Sequence, residues 1–151
     1  MLQKSDNAQR AQWMGLLARS PLAVLQAWAA RQEGLRHTWL RPPETGLLMV
    51  RGRAGGTGDK FNLGEMTITR CALRLPSGTV GVAYIQGRSH RKAELAALAD
   101  ALLQQDASRE RVQAELIEPL RTRIEAEAAR AQRKAQATRV DFFTLAREAG
   151  A

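Results

Sequence analysis

Between Arg53 and Lys60 the chain reads Arg-Ala-Gly-Gly-Thr-Gly-Asp-Lys, and Gly64 makes four glycines within twelve positions. A loop of this kind exposes backbone N–H groups between cations, and both favour an anion such as phosphate. The candidate phosphate-binding residues are Arg53, Gly55, Gly56, Thr57, Gly58 and Lys60. The loop lacks the Gly-Lys-Ser/Thr ending of a P-loop, and it does not stand between a strand and a helix as a dinucleotide fingerprint does. Glycines that reach positive φ also serve as a shaped connection between strands. At this level both readings stay open.

The other reactive side chains do not assemble into a constellation. His37 lies in a strand pattern with Leu35 and Trp39 and reads as a partly buried structural histidine, while His90 reads as an exposed polar residue beginning a helix among Arg88, Arg91 and Lys92. Cys71 lies in a strand, where a small apolar packing role is expected before a nucleophilic one. As the single cysteine it excludes an intrachain disulfide, and with two histidines the chain has few soft metal ligands. Glu44, Asp59 and Glu65 show no spacing that marks an acid–base pair. No catalytic residue, metal or cofactor is expected.

The elements that must position these groups follow from hydrophobic period. Ala11, Met14, Leu17 and Ala18 mark a helix over 7–19, and Ser20-Pro21 reads as the cap and first position of a second helix with Leu22, Leu25 and Ala29 as its stripe, closed by Gly34. Residues 35–41 read as a strand, Pro42 to Gly46 as a turn and 47–53 as a second strand. Residues 65–75 and 79–86 make the third and fourth strands around Pro76-Ser77-Gly78, with Leu73 expected opposite Val82 and Leu75 opposite Val80. From Ser89 a packing helix carries Leu95, Leu98, Ala99 and Leu102. Ser108 is placed to cap a further helix that Pro119 interrupts or restarts.

The fold class expected is therefore α+β: a four-stranded antiparallel sheet with N-terminal helices, a packing helix and a C-terminal helical arm. Residues 1–108 form the core domain, and 109–151 form the arm, as part of the same domain or docked on a partner. Residues 121–137 hold Ile124 as their one large aliphatic, whereas Val140, Phe142, Phe143 and Leu145 cluster beyond them. A sparsely apolar helix with an aromatic end is suited to docking on another chain, the alternative being a fold back onto its own domain.

A chain of 151 residues with 44% apolar and 25% charged residues fits one folded domain. No apolar run reaches the roughly 18 residues of a membrane span, and the N-terminal residues lack a secretory pattern, so a cytoplasmic protein without membrane contact is expected. The net charge of +8 is concentrated: residues 36–92 hold ten Lys and Arg against three acids. That field attracts phosphate-bearing ligands, nucleic acid or an acidic protein. Arg51, Arg53, Arg70 and Arg74 are the candidates to project from one side of the sheet toward such a partner, the alternative being a solvated face.

The succession of words along the chain is more specific than any of them singly. Trp13 to Ala18, Pro43 to Leu47, Arg53 to Gly58, Phe61 to Cys71, Tyr84 to Arg88, Ala93 to Leu98 and Arg139 to Thr144 together resemble the PhnG family, the small G subunit of the bacterial carbon–phosphorus lyase system for phosphonate use. The resemblance implies a cytoplasmic core complex with H, I and J subunits that forms α-D-ribose 1-methylphosphonate 5-triphosphate from ATP and methylphosphonate with loss of adenine. It implies nucleosidase chemistry on the I subunit and radical iron–sulfur chemistry on J, with no catalytic residue on G. ATP or phosphonate contact within the complex is a further implication. The family pattern has Asp after Gly-Arg and His before Ala-Glu; here Ser89 and Lys92 stand there, so no histidine role carries over.

Two other classes are set against this reading. A basic RNA-binding module is allowed by the charge, but Trp39, Phe61 and Tyr84 are the only aromatics in residues 36–92 and do not recur as a stacking platform. A free-standing phosphoester enzyme needs catalytic groups that the motifs lack.

Overall fold

The computed structural model describes residues 2–32, 34–53 and 58–137. The order is α1 (Leu2–Arg19), α2 (Leu22–Ala29), β1 (Thr38–Gly52), β2 (Phe61–Arg74), β3 (Val80–Gln86), α3 (His90–Leu103), α4 (Asp106–Val112), a π-helical turn (Gln113–Ile117) and α5 (Glu118–Ala137). The α+β class holds, but the four-stranded sheet is corrected to three antiparallel strands among the described residues, in the order β1-β2-β3. The stretch read as strand, turn and strand is one continuous β1.

The reason lies in where β1 sits. Pro42 and Pro43 cannot donate to a ladder, yet an edge strand has one side without a partner. The register shifts between Trp39 and Arg41 and again between Arg41 and Glu44, so the prolines are stepped over by bulges instead of turning the chain. β2 likewise begins at Phe61, earlier than the expected residue 65.

The β2–β3 register is one residue away from the expected one: Ala72 faces Val82 and Leu73 faces Gly81. A slip of one exchanges the two faces. Gly81, Ala83 and Ile85 therefore meet the helices, while Val80, Val82 and Tyr84 join Arg70 and Arg74 on the other face. Gly81 explains the choice, because a Cβ there would stand 2.0 Å from the Ala97 carbonyl oxygen and 2.8 Å from Ala101 Cβ. Close approach of α3 to the sheet requires hydrogen at this position.

Helix α3 is buried on nearly all sides, as expected of a helix with apolar residues all round. The sheet packs against it, as do α1, α2 and α4. Ser89 begins it as expected, its Oγ accepting from the Lys92 N–H at 3.3 Å. The two expected caps are corrected: Ser20 Oγ donates back to the Leu17 carbonyl at 2.8 Å, and Ser108 lies inside α4 and donates to the Leu102 carbonyl at 2.6 Å. Pro119 has no N–H for the carbonyl four residues earlier, and the wider π-helical turn before it lets the helix continue. Leu120 is the last fully buried residue described on α5.

Candidate functional site

Among the described residues, two surfaces of the sheet are left without a helix: the face opposite α3, and the distal half of the β1–β2 ribbon. On the open face Arg70 pairs with Glu44 of β1 on one side and Tyr84 of β3 on the other. Arg70 Nε donates to Glu44 Oε1 at 2.6 Å, and Arg41 donates to the same oxygen at 3.1 Å. The bond from Arg70 is the first cause holding the Glu44 carboxyl below its usual range, and the same bond raises Arg70. Glu44, Arg70 and Tyr84 line a cleft of about 360 Å³ together with Leu47, Leu48 and Ile68. Its chemistry is that of recognition: a guanidinium, a carboxylate and a phenol beside aliphatic surface.

On the α3 side, hydroxyls tie the base of the ribbon together. Thr69, fully buried, donates to the Gly87 carbonyl at 2.7 Å, which uses its one proton. Thr45 must then be the donor in its 3.0 Å bond to Thr69, and His90 Nε2, 3.1 Å from Thr45, must carry a proton. The chain links β1, β2 and the start of α3. It leaves His90 exposed, as expected, and gives it a positioning role.

The other expected residues fall as follows. His37 is partly buried, with Nε2 3.9 Å from Glu94 Oε1 and its ring edge-on to Trp39 at 4.6 Å. Cys71 is buried in the core, and burial pushes its thiol up to about 12. Arg70 and Arg74 are brought onto the open face, but Arg51 stands opposite Asn62, eight residues along β2 from Arg70. At about 3.4 Å per residue that is about 27 Å away. Arg53 follows β1 at the same distal end.

There Arg51 donates to the Lys60 carbonyl at 3.3 Å and joins the two stems of the glycine loop. Gly58 has φ +104°, a conformation that favours glycine. Gly55, Gly56 and Thr57 lie outside the described residues, as do Val140, Phe142, Phe143 and Leu145. Among the described residues, no group of three or more His, Cys, Asp or Glu could hold a metal ion, and no helix is long and apolar enough to cross a membrane.

The family model described as "Phosphonate metabolism protein PhnG" matches residues 8–148. The chain belongs to the PhnG family. It is 48% identical over 141 residues to the "Alpha-D-ribose 1-methylphosphonate 5-triphosphate synthase subunit PhnG" of Rhizobium meliloti (strain 1021), covering 93% of this chain and 90% of that protein. In this PhnG-family chain the two departures noted in the sequence have structural duties. Ser89 caps α3, and Lys92 Nζ donates to the Ala18 carbonyl in the last turn of α1 at 2.8 Å, where a cation complements the helix dipole. Burial lowers the Lys92 pKa.

Sequence reasoning did not single out Asp100, which is fully buried. An acid inside Leu-Ala-Ala-Leu-Ala-Asp-Ala-Leu-Leu was the available signal, since a buried carboxylate demands partners. Nor did it find the exposed ribbon, although Leu47-Leu48-Met49-Val50 is apolar on successive residues and so cannot bury both faces against one layer.

Proposed function

We propose that this chain is a subunit of the α-D-ribose 1-methylphosphonate 5-triphosphate synthase. The observation that carries the reading is the 48% identity, over 93% of the chain, to the Rhizobium meliloti subunit of that name. The reaction joins methylphosphonate to C1 of the ATP ribose as adenine leaves. This chain serves by assembly with the H, I and J subunits in the cytoplasm. Its sheet offers recognition groups and aliphatic surface, which suit a partner interface.

The glycine loop is chiefly a shaped connection between β1 and β2, with Arg53 and Lys60 as the cations for a nucleotide phosphate in the assembled complex. Val140, Phe142, Phe143 and Leu145 serve as a C-terminal anchor on another subunit, each buried Phe contributing about 1.5–3 kcal/mol before ordering costs. An RNA role finds less support. Trp39 pairs with Leu73, twelve residues along β2 from Phe61, so these aromatics are about 40 Å apart.

Deletion of the gene in the source organism tests the reading. Growth on methylphosphonate as sole phosphorus source should be lost and then restored by this chain, and the chain should co-purify with the H, I and J subunits. Undiminished release of adenine from ATP and methylphosphonate by the complex without it defeats the proposal. Removing residues 138–151 should spare the fold, since the described core runs from Trp13 to Leu120, while reducing assembly.

A further inference from the structure

The β2–β3 ladder ends at Ile68 and Gln86, yet β1 and β2 remain paired as far as Gly52 and Phe61. Residues 47–52 and 61–67 thus form a two-stranded ribbon reaching past β3. A polar ribbon can be left in water. This one exposes Leu47 at 66%, Leu63 at 59%, Leu48 at 50%, and Met49 and Phe61 at 47% each.

The register assigns these residues to both sides. Leu47 and Met49 pair with Thr67 and Glu65, and Phe61 pairs with Gly52, over which Leu63 lies, with its Cδ1 2.4 Å from where a Cβ on Gly52 would stand. Leu48, opposite Met66, belongs to the other face. Two-stranded ribbons are marginal in water, and one apolar on both faces is only half covered by a single layer. Its distal end is cationic: Arg51, Arg53 and Lys60 stand there with Asp59 as the acid.

We infer that this ribbon is an arm that inserts into an apolar groove with an acidic rim on a different protein subunit. The inference rests on the assembly reading above and names the surface that performs it. Charge selects the occupant: two copies of a chain of net charge +8 would bring like-charged ends together, whereas an acidic rim complements Arg51, Arg53 and Lys60. The side chains select protein over RNA, because Leu47, Leu48, Met49 and Leu63 offer no stacking plane for bases and Phe61 is a single aromatic rather than a stacking platform. The Thr45–Thr69–His90 chain holds the arm at its root, so it is presented in a defined direction.

The test uses the full chain co-expressed with the H, I and J subunits. Native mass spectrometry reads assembly, and hydrogen exchange compares amides of 46–52 and 61–67 in the isolated chain and the complex. Protection of these amides on assembly is expected, with at least a tenfold loss of assembled complex in Leu47→Ser/Leu63→Ser. Both residues are exposed, so the variant should keep the wild-type melting curve; Ala23→Ser, exposed on α2, should assemble normally. Arg51→Glu/Lys60→Glu should slow assembly at least tenfold at low salt. Wild-type assembly matched by the Leu47/Leu63 variant, without amide protection, overturns the arm and leaves the subunit reading intact. Failure of the wild type to assemble at all overturns both. A homodimer, or binding to single-stranded RNA, that the Leu47/Leu63 variant loses would assign the arm to a second copy or to nucleic acid and overturn the inference.

Discussion

Arg10 grips Asp100 with two hydrogen bonds, Nε to Oδ1 at 3.1 Å and an η nitrogen to Oδ2 at 2.7 Å, across ninety positions of sequence. Trp13 Nε1 donates to Oδ1 at 2.9 Å, while the Val82 N–H and Gln104 Nε2 reach Oδ2 at 3.0 and 3.2 Å. The carboxylate is fully buried and joins α1, α3 and the outer edge of β3. Each partner is a donor, as a charged carboxylate in the interior requires.

Asp100→Ala should therefore destabilise the chain by about 3–5 kcal/mol, because it leaves Arg10, Trp13 and Val82 with donors and no acceptor. Urea unfolding followed by tryptophan fluorescence measures this. A loss within the scatter of surface substitutions would show that water satisfies those donors.

Gly81→Ala should cost roughly 1–3 kcal/mol or more, since its methyl group falls on the Ala97 carbonyl and the Ala101 side chain. Its thermal midpoint is the measure. Gly15→Ala, in α1 with open space around its position, should be neutral or stabilising.

Cys71 should resist thiol reagents at pH 8 in the folded chain and react quickly after unfolding, because burial pushes its thiol up to about 12 from an ordinary value of 9.0. The folded state keeps the proton that the unfolded state gives up, so this contribution is complete below pH 9 and is lost as pH rises from 9 toward 12. Stability measured at pH 8 and pH 10.5 should fall more steeply for the wild type than for Cys71→Ala.

Glu44→Gln should leave the fold's melting curve unchanged, since the pair with Arg70 is exposed. It should instead unmask Arg70 and make assembly with an acidic subunit more sensitive to salt, read from association rates between low and physiological ionic strength. Because the Glu44 pKa is lowered, its pairing persists at neutral pH and is lost only on acidification through that lowered value.

Much of the helical part was legible locally. A start at Ser89 and Leu95, Leu98 and Leu102 as a stripe define α3 through interactions within a few turns. Trp13, Leu16 and Trp28 joined the core without having been singled out, because large aromatics blur a stripe that is judged by aliphatic spacing. Pro42-Pro43 misled the strand count. As local chemistry it reads as a turn, and only an edge position beside β2 makes an extended path through both prolines acceptable.

Sequence alone determined the α+β class, the cationic segment and the resemblance to one family, since composition, period and word order are all local to the chain. Tertiary structure decided that there are three strands, that Leu73 faces Gly81, that Asp100 finds Arg10, and that Leu47 and Leu63 stay in solvent. Those outcomes depend on which segment becomes an edge and how near α3 lies to the sheet. Such energies arise between residues far apart in sequence and exist only once the layers have packed.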